Sequence, residues 1–385
     1  MNQLIPPNAL DDYCLILLAK NAELKHEACL EYDKFYNSNP DSHESLFVGV
    51  IGGKNVQCIS YICDHLKLDE EVKYFALELF NKASFRMLRN INFIISNLLE
   101  EFREFFSLDS KRVISAKSPA LTAQTSTRFN QFKKALSIYS LHAASKLIRD
   151  LHISKTSSFN LLSSTENNVL DKWETFLHHF YSNVEQYAVL SISLSCKYLL
   201  HRLDFSFDRL EAVLGRSVYK NGDNNNTEML IFHLLDFNLN NVPCAYRYMK
   251  CFLIRLQTHI DNFNIDHIQA LCNDFLVLFY FYRSKILQEL WTFNCQQVQQ
   301  SPTTMIKQSF TVKSLSTTAM YSCKAEMSCD MALIASAVIA SAVYVSSVEI
   351  SDAVNINLQD VTGIPVVYIG QLAYFILKSV GIVPG

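Results

Sequence analysis

Two charged residues, Lys197 and Glu228, stand in segments that are otherwise strongly apolar. Lys197 interrupts SISLSCKYLL over residues 191–200, and Glu228 lies near the start of TEMLIFHLLDFNLNNVP over residues 227–243. A buried charge without a partner is costly, so each side chain must reach water or an opposite charge. An ammonium and a carboxylate on neighbouring helices can also hydrogen-bond the backbone carbonyls and amides of a partner protein. The two residues are therefore a candidate docking surface.

The same two residues also admit a structural role, as an ion pair between two helices of this chain. For a docking role, Tyr198, Leu200 and Phe232 would supply apolar contact area around the charges. Large apolar side chains are core residues by default, so burial is the alternative for each of these three. The residues alone leave both roles open.

Other patterns that could carry chemistry are weak. His178 and His179 are adjacent, so on a helix they point about 100° apart, and no third ligand follows at helical spacing. No Walker loop, nucleophile elbow or metal triad is present, and 9 glycines leave little material for phosphate-binding loops. We therefore predict no catalytic, cofactor-binding or metal site, and a regulatory protein rather than an enzyme.

The 11 cysteines have irregular spacings, without a Cys-x-x-Cys motif or the Cys/His clusters that hold zinc. Most of them fall inside apolar helical patterns, where a thiol behaves as a small hydrophobic group. We expect reduced thiols within the core, among them Cys58, Cys63, Cys196, Cys251 and Cys272.

Charge and hydropathy argue against two classes of partner. The 34 basic and 37 acidic residues give a net charge of −3, so no long-range field attracts nucleic acid, and we predict no direct binding to it. Residues 331–348 carry no charge but consist mostly of Ala, Ser and Val, which provide little drive for insertion into a bilayer. We predict a buried core helix there and no membrane partner.

The elements that must position Lys197 and Glu228 are predicted to be helices. Hydrophobic content is 49%, while 9 Gly and 8 Pro are too few for a turn-rich β fold. Apolar residues recur with a 3.6-residue period, which predicts an all-α protein. The helices are expected near residues 9–31, 54–66, 70–86, 174–201, 206–215, 227–236, 244–257, 265–285, 330–347 and 365–380.

Two polar stretches interrupt this helical pattern, at about residues 100–172 and 293–328. Stretches of this length inside a compact domain are usually functional or disordered, so we interpret both as insertions. Ser118 and Ser301 lie within them and each precedes a proline, which is the minimal target of proline-directed kinases. Both serines are candidate phosphorylation sites.

Removing the insertions leaves two runs of about five helices each. Each run contains one helix of small apolar residues, at 191–200 and at 331–344, which other helices can approach closely. We predict an N-terminal helix and tail over residues 1–45, followed by helical domains over 46–242 and 243–385.

Several motifs, in their order along the chain, resemble the cyclins. LDEEVKYFALELFNKASF (68–85) resembles the second helix of a first cyclin box, and SLSCKYLL (193–200) resembles the third. TEMLIFHLLDFNLNNVPCAYRYM (227–249) resembles the fifth helix and the following linker. The resemblance implies tandem five-helix cyclin boxes, an N-terminal helix and two long insertions.

In cyclins, the residues that match Lys197 and Glu228 contact a cyclin-dependent kinase. The resemblance therefore implies a kinase-binding surface that includes Lys197 and Glu228, with Tyr198, Leu200 and Phe232 beside them. Ile51 to Asn55 departs from the family, because two glycines and an asparagine cannot build the apolar groove that docks substrates in many cell-cycle cyclins.

Segments 12–28, 189–206 and 361–382 are similar to the cyclin N-terminal domain-containing proteins, a divergent cyclin branch that acts in meiotic crossover formation. This likeness implies a non-catalytic regulator of crossover maturation, located in the nucleus on meiotic chromosomes. Its implied partners are a cyclin-dependent kinase and meiotic crossover proteins. Two alternatives stay open: a cyclin-fold scaffold that activates no kinase, and a transcription-linked cyclin.

Overall fold

A computed structural model contains helices, turns and irregular segments in the residues that it describes, and no strand among them, which confirms the all-α prediction. Helices α1 to α9 are Pro7–Ser38, Gly53–His65, residues 70–84, Tyr187–Leu200, Ala245–His259, Ile265–Gln300, Met331–Ser346, Ser351–Thr362 and Val366–Ser379. Short helical turns lie at Leu239–Asn241, 326–329 and Val348–Ile350. The described residues are 7–38, 53–84, 86, 187–201, 212–213, 228–229, 231–233, 235–261, 263–300 and 326–383.

The chain divides into two compact units. One comprises Met1–Lys34, Phe47–Phe85 and Tyr187–Gly385, and the other comprises Phe35–Leu46 and Arg86–Gln186. The packing described below belongs to the first unit. The predicted division of the helices at residue 243 into two cyclin boxes stays a prediction.

Helix α7 forms the centre of the C-terminal part of the core. Its residues from Met331 to Val343 are all buried, as predicted for this uncharged segment, and α7 contacts α5, α6, α8 and α9. The alanines and serines of α7 permit this close approach on several sides. Asp330 caps the helix by accepting a hydrogen bond from the backbone N–H of Leu333 at 3.0 Å.

Helix α1 packs antiparallel to α5. The buried face of α1 has helical spacing and includes Leu10, Leu17 and Leu24. The Tyr248 hydroxyl of α5 donates to the Leu17 carbonyl at 2.9 Å, and Arg255, two turns later on α5, pairs with Asp11, earlier on α1. The N-terminal helix is thus part of the core packing.

A buried polar network joins α3 to α6. Glu78 Oε1 accepts hydrogen bonds from the Tyr280 hydroxyl at 2.7 Å and from Arg283 Nη1 at 3.0 Å. Arg283 Nη2 donates to the Ser328 carbonyl at 2.6 Å. Burial alone would lower the pKa of Arg283, but the adjacent Glu78 carboxylate, together with Tyr280 and Cys329, raises it overall. The guanidinium therefore stays charged in the core.

Two helices differ from the sequence prediction. Helix α8 was not predicted, because its buried face consists only of Val354 and Leu358 among polar residues. It ends at Gly363, whose φ of +70° suits glycine and whose N–H bonds to the Gln359 carbonyl at 2.8 Å. Helix α6 continues to Gln300, beyond the predicted end at 285, and Phe293 in this extension packs against Phe375 of α9.

Glycine at position 53 has a packing reason. A Cβ atom there would lie 2.8 Å from Cε2 of Phe281, closer than side chains pack, so α2 approaches α6 at a residue without a side chain. Gly53 belongs to the stretch from Ile51 to Asn55 that departs from the cyclin substrate-docking motif. In this structure, close packing of α2 on α6 accounts for this glycine.

Among the described residues, no single helix combines the length and apolar character needed to cross a membrane; Val348–Thr362 and Val366–Ser379 meet those criteria only as a pair, bent by 120°.

Candidate functional site

Helix α4 carries Lys197 from the core to the surface. Its residues from Tyr187 to Cys196 are buried, and the last turn, from Lys197 to Leu200, is half-buried. Two of the three buried serine hydroxyls of the helix are satisfied within it, since Ser191 and Ser195 donate to carbonyls one turn earlier at 2.7 and 2.6 Å, whereas Ser193 Oγ has no hydrogen-bond partner among the described residues. The first charged group of α4 therefore appears where the helix leaves the core.

Lys197 and Glu228 form an ion pair. The distance from Lys197 Nζ to Glu228 Oε1 is 2.6 Å, and the pair joins α4 to the helical residues at 228–229 and 231–233. The side chains keep 26% and 13% of their surface exposed. This is the internal pairing considered from the sequence, and a partner-facing role remains compatible with it because both groups still reach solvent.

Tyr198 links the ion pair to the rest of the site. Its ring stacks on Phe75 of α3, with centroids 5.2 Å apart and an interplanar angle of 18°, and its hydroxyl donates to the Asn240 side-chain oxygen. The Arg247 guanidinium lies over Phe75, 5.5 Å from the ring centroid, and Arg247 Nε donates to Glu71 Oε1 at 2.6 Å. Tyr198 is thus anchored between α3 and the turn at 239–241.

Arg247 and Glu71 form a second ion pair at this site, in which each side chain neutralises the charge of the other. Burial alone would lower the pKa of Arg247, but its hydrogen bond to Glu71, together with the charge of Glu71 and contributions from Cys244 and Tyr198, raises the pKa overall. Neither residue was singled out from the sequence. Their effect is to hold α5 against α3 beside the stacked rings of Tyr198 and Phe75.

The remaining two predicted contact residues are Leu200 and Phe232, and both are half-buried. Leu200 ends α4. The carbonyl of Phe232 accepts the Phe237 N–H at 2.8 Å, which helps to close the turn after the helical segment. Both residues lie on the two segments that carry the ion pair, so the structure places all five predicted contact residues on these segments.

An exposed row of side chains on the 228–237 segment was missed from the sequence. Met229 is 55% exposed, Phe237 is 61% exposed, and His233 lies exposed between them, with its ring centroid 5.8 Å from that of Phe237. The opposite face is buried through Ile231 and Leu235. The signal was the spacing of four residues between members of the row, which would place them on one face of a continuous helix; in the structure Phe237 lies in the turn that follows the helical residues.

The turn that presents Phe237 has unusual backbone geometry. Asp236 and Phe237 have φ values of 51° and 56°, in the left-handed region that residues other than glycine rarely adopt. Hydrogen bonds from Asp236 N–H to the His233 carbonyl, at 3.1 Å, and from Phe237 N–H to the Phe232 carbonyl hold this conformation. The turn directs the chain from the helical segment toward Asn240.

A separate cleft of ≈530 Å³ lies between α1, the 326–330 segment and the turn after α8. Lys25 lies in it, with Nζ 2.8 Å from Asp330 Oδ2 and 3.2 Å from Glu326 Oε1. Burial alone would lower the pKa of Lys25, but the two carboxylates raise it overall. Asn21 donates to Asp330 and accepts from the backbone N–H of Met331. These polar groups on one side of the cleft therefore hydrogen-bond to one another.

Other sequence-based site predictions lie outside the described residues. These are the candidate phosphorylation sites Ser118 and Ser301 and the adjacent pair His178 and His179. Within the described part of the chain, no group of three or more His, Cys, Asp or Glu side chains is arranged to hold a metal ion.

Comparisons with protein-family models, with curated proteins and with solved structures found no match to this chain.

Proposed function

We propose that this chain is a non-catalytic, cyclin-like regulatory protein that binds a cyclin-dependent kinase through the surface around Lys197 and Glu228. In this proposal it acts in the nucleus with meiotic crossover proteins and promotes crossover maturation. The cyclin-like motifs support the partner and the setting. The structural observation that supports the proposed surface is the partly exposed ion pair between the last turn of α4 and the segment that carries Glu228.

Kinase chemistry explains why binding through such a surface would regulate a kinase. An active kinase needs a lysine to glutamate pair between a strand and the αC helix, and that helix must be held inward. An ammonium and a carboxylate that already hold each other in place can bond the exposed backbone groups at a helix end without first being ordered. Lys197 and Glu228 have this arrangement, with 2.6 Å between Nζ and Oε1.

Apolar contact would accompany the charges. Met229 and Phe237 are exposed on the segment that carries Glu228. Phenylalanine and methionine are enriched at the centres of protein interfaces relative to the rest of the protein surface. Tyr198, stacked on Phe75, offers a surface that is already rigid.

A charge-swap series tests this proposal. Lys197→Glu and Glu228→Lys each place like charges together, whereas the double variant restores an ion pair with inverted polarity. If the pair binds a kinase, both single variants and the double variant lose kinase co-purification from meiotic cells, and crossover numbers fall. If the pair is only structural, the double variant regains both the stability and the activity of the original chain.

The matched control is the exposed pair Lys20 and Glu23, with 3.3 Å between Nζ and Oε2. Swapping these two charges should leave kinase binding unchanged. Kinase association that persists in the Lys197 and Glu228 double variant would favour the second candidate, a cyclin-fold scaffold without kinase activation. The specific observation in favour of that candidate is that the two charges already satisfy each other within the chain.

A further inference from the structure

Two thiols that are distant in the sequence meet in the seam between α1 and α5. The Sγ atoms of Cys14 and Cys251 are 2.7 Å apart, although the residues are separated by 237 positions. Both side chains are 3% exposed, and both cysteines are unbonded thiols. A disulfide bond has a length of about 2.0 Å, so a small approach of the two sulfurs would suffice to form one.

The contacts on both sides of the sulfurs hold them opposite each other. Toward the C-terminal side of Cys14, the Leu17 carbonyl accepts from the Tyr248 hydroxyl, and toward its N-terminal side Asp11 pairs with Arg255. Positions 11, 14 and 17 on α1 therefore meet positions 255, 251 and 248 on α5 in antiparallel order. The thiol pair lies at the centre of an established helix contact.

We propose that Cys14 and Cys251 form a reversible disulfide site whose oxidant is hydrogen peroxide. A small oxidant is required because both sulfurs are buried, and a bulky disulfide reagent would have to displace α1 first. This proposal is independent of the kinase-binding proposal, since neither cysteine belongs to the surface around Lys197 and Glu228.

The reaction takes place in two displacement steps. The Cys14 thiolate attacks peroxide, an S–O bond forms, the O–O bond breaks, and the departing hydroxide takes a proton to become water. The Cys251 sulfur then attacks the Cys14 sulfur, so that the S–S bond forms and the S–O bond breaks. The departing hydroxide takes the proton that Cys251 loses and leaves as a second water. Two thiols are oxidised by two electrons, and one peroxide is reduced to two waters.

The order of attack follows from the hydrogen bond between the thiols. The hydrogen bond with Cys251 lowers the pKa of Cys14, against the opposing effect of burial. The same hydrogen bond, together with burial, raises the pKa of Cys251. Cys14 is therefore the first sulfur to become a thiolate, which is the reactive form.

The disulfide would fasten the N-terminal helix to the core. Helix α1 also carries Asn21 and Lys25 to Asp330, the residue that caps α7. Until the bond is reduced again, oxidation would thus hold in place the helix whose Asn21 and Lys25 contact the start of the central helix. Reversible disulfides of this kind, rather than structural ones, are the usual type in reducing compartments.

Peptide mapping of the full chain tests the proposal. The purified, reduced protein is treated with hydrogen peroxide, its remaining thiols are alkylated under denaturing conditions, and the digest is analysed by mass spectrometry. We expect a peptide containing Cys14 linked to one containing Cys251, which disappears after dithiothreitol. Oxidation should also raise the thermal midpoint by at least about 5 °C, because the bond closes a very long loop.

Two variants give the controls. Cys14→Ala should abolish both the linked peptide and the oxidative rise in thermal midpoint, whereas Cys272→Ser, at another buried cysteine, should retain both. The mapping of the original chain does not depend on whether a variant folds. Recovery of Cys14 and Cys251 only as separately alkylated peptides after peroxide treatment would overturn the proposal.

Discussion

Two ion pairs of similar length lie in opposite surroundings. Arg283 Nη1 is 3.0 Å from Glu78 Oε1, and these side chains are 3% and 2% exposed. Lys197 Nζ is 2.6 Å from Glu228 Oε1, with 26% and 13% exposed. The buried pair receives further hydrogen bonds through the Tyr280 hydroxyl and a backbone carbonyl, whereas the other pair opens to solvent.

The comparison shows that distance alone does not assign a role to an ion pair. A charge in the core must keep its partner, because removing that partner leaves an uncompensated charge in a medium that solvates it poorly. A charge at the surface can exchange its partner for water at little cost. The buried pair is therefore fixed by folding, and only the exposed pair is available to another protein.

Breaking the buried pair should have the largest effect. We expect Glu78→Gln to lower the free energy of unfolding by about 3–5 kcal/mol, because the Arg283 guanidinium would lose its countercharge. Urea denaturation followed by circular dichroism measures this loss. Replacing both residues with apolar ones of similar size, Glu78→Leu with Arg283→Met, should recover much of it. A loss under about 1 kcal/mol for Glu78→Gln would contradict this role.

The ion pair of Lys25 and Asp330 is an intermediate case, because 25% of the Lys25 side chain and 10% of the Asp330 side chain are exposed. Its pKa is raised in the folded chain, so its contribution to stability is complete below the unfolded value of about 10.4. As pH rises through the folded pKa, that contribution is lost. Lys25→Met should therefore flatten the decline in stability above about pH 10.4, and an unchanged decline would show that other groups cause it.

The exposed pair should have the smallest effect on stability. Lys197→Met should change the free energy of unfolding by less than about 1 kcal/mol, and 1 M salt should reduce even that difference. Thermal or urea unfolding at two salt concentrations provides the measurement. If Lys197→Met lowers the free energy of unfolding as much as Glu78→Gln does, Lys197 has mainly a structural role. That result would weaken the docking proposal.

Periodicity and composition were sufficient to predict the helical class and the buried helix at α7. Its uncharged run of small residues identifies a core helix without any knowledge of its neighbours. Helix α8 was missed because two buried residues, Val354 and Leu358, are too few to mark a face. The C-terminal half of α6 was missed because its glutamines are compatible with either a helix or a polar insertion.

The candidate site was predicted in part. An apolar setting made Lys197 and Glu228 conspicuous, and their 2.6 Å distance is consistent with one of the two roles considered. The exposure of Met229 and Phe237 depends on which face of their segment the core covers, which one sequence cannot determine. The meeting of Cys14 and Cys251 depends on the register of α1 against α5, a tertiary property that leaves no local signal.

The hydrogen bond from Met331 N–H to the Asn21 side chain spans 310 positions, which has a consequence for biosynthesis. The ribosome adds about 5–20 residues per second, so α1 leaves it roughly 15–60 seconds before its partner residues exist. During that interval α1 can already pack on α5, but Asn21 and Lys25 lack their partners at the start of α7. The packing of α1 is therefore completed in two stages, the second only after α7 has been synthesised.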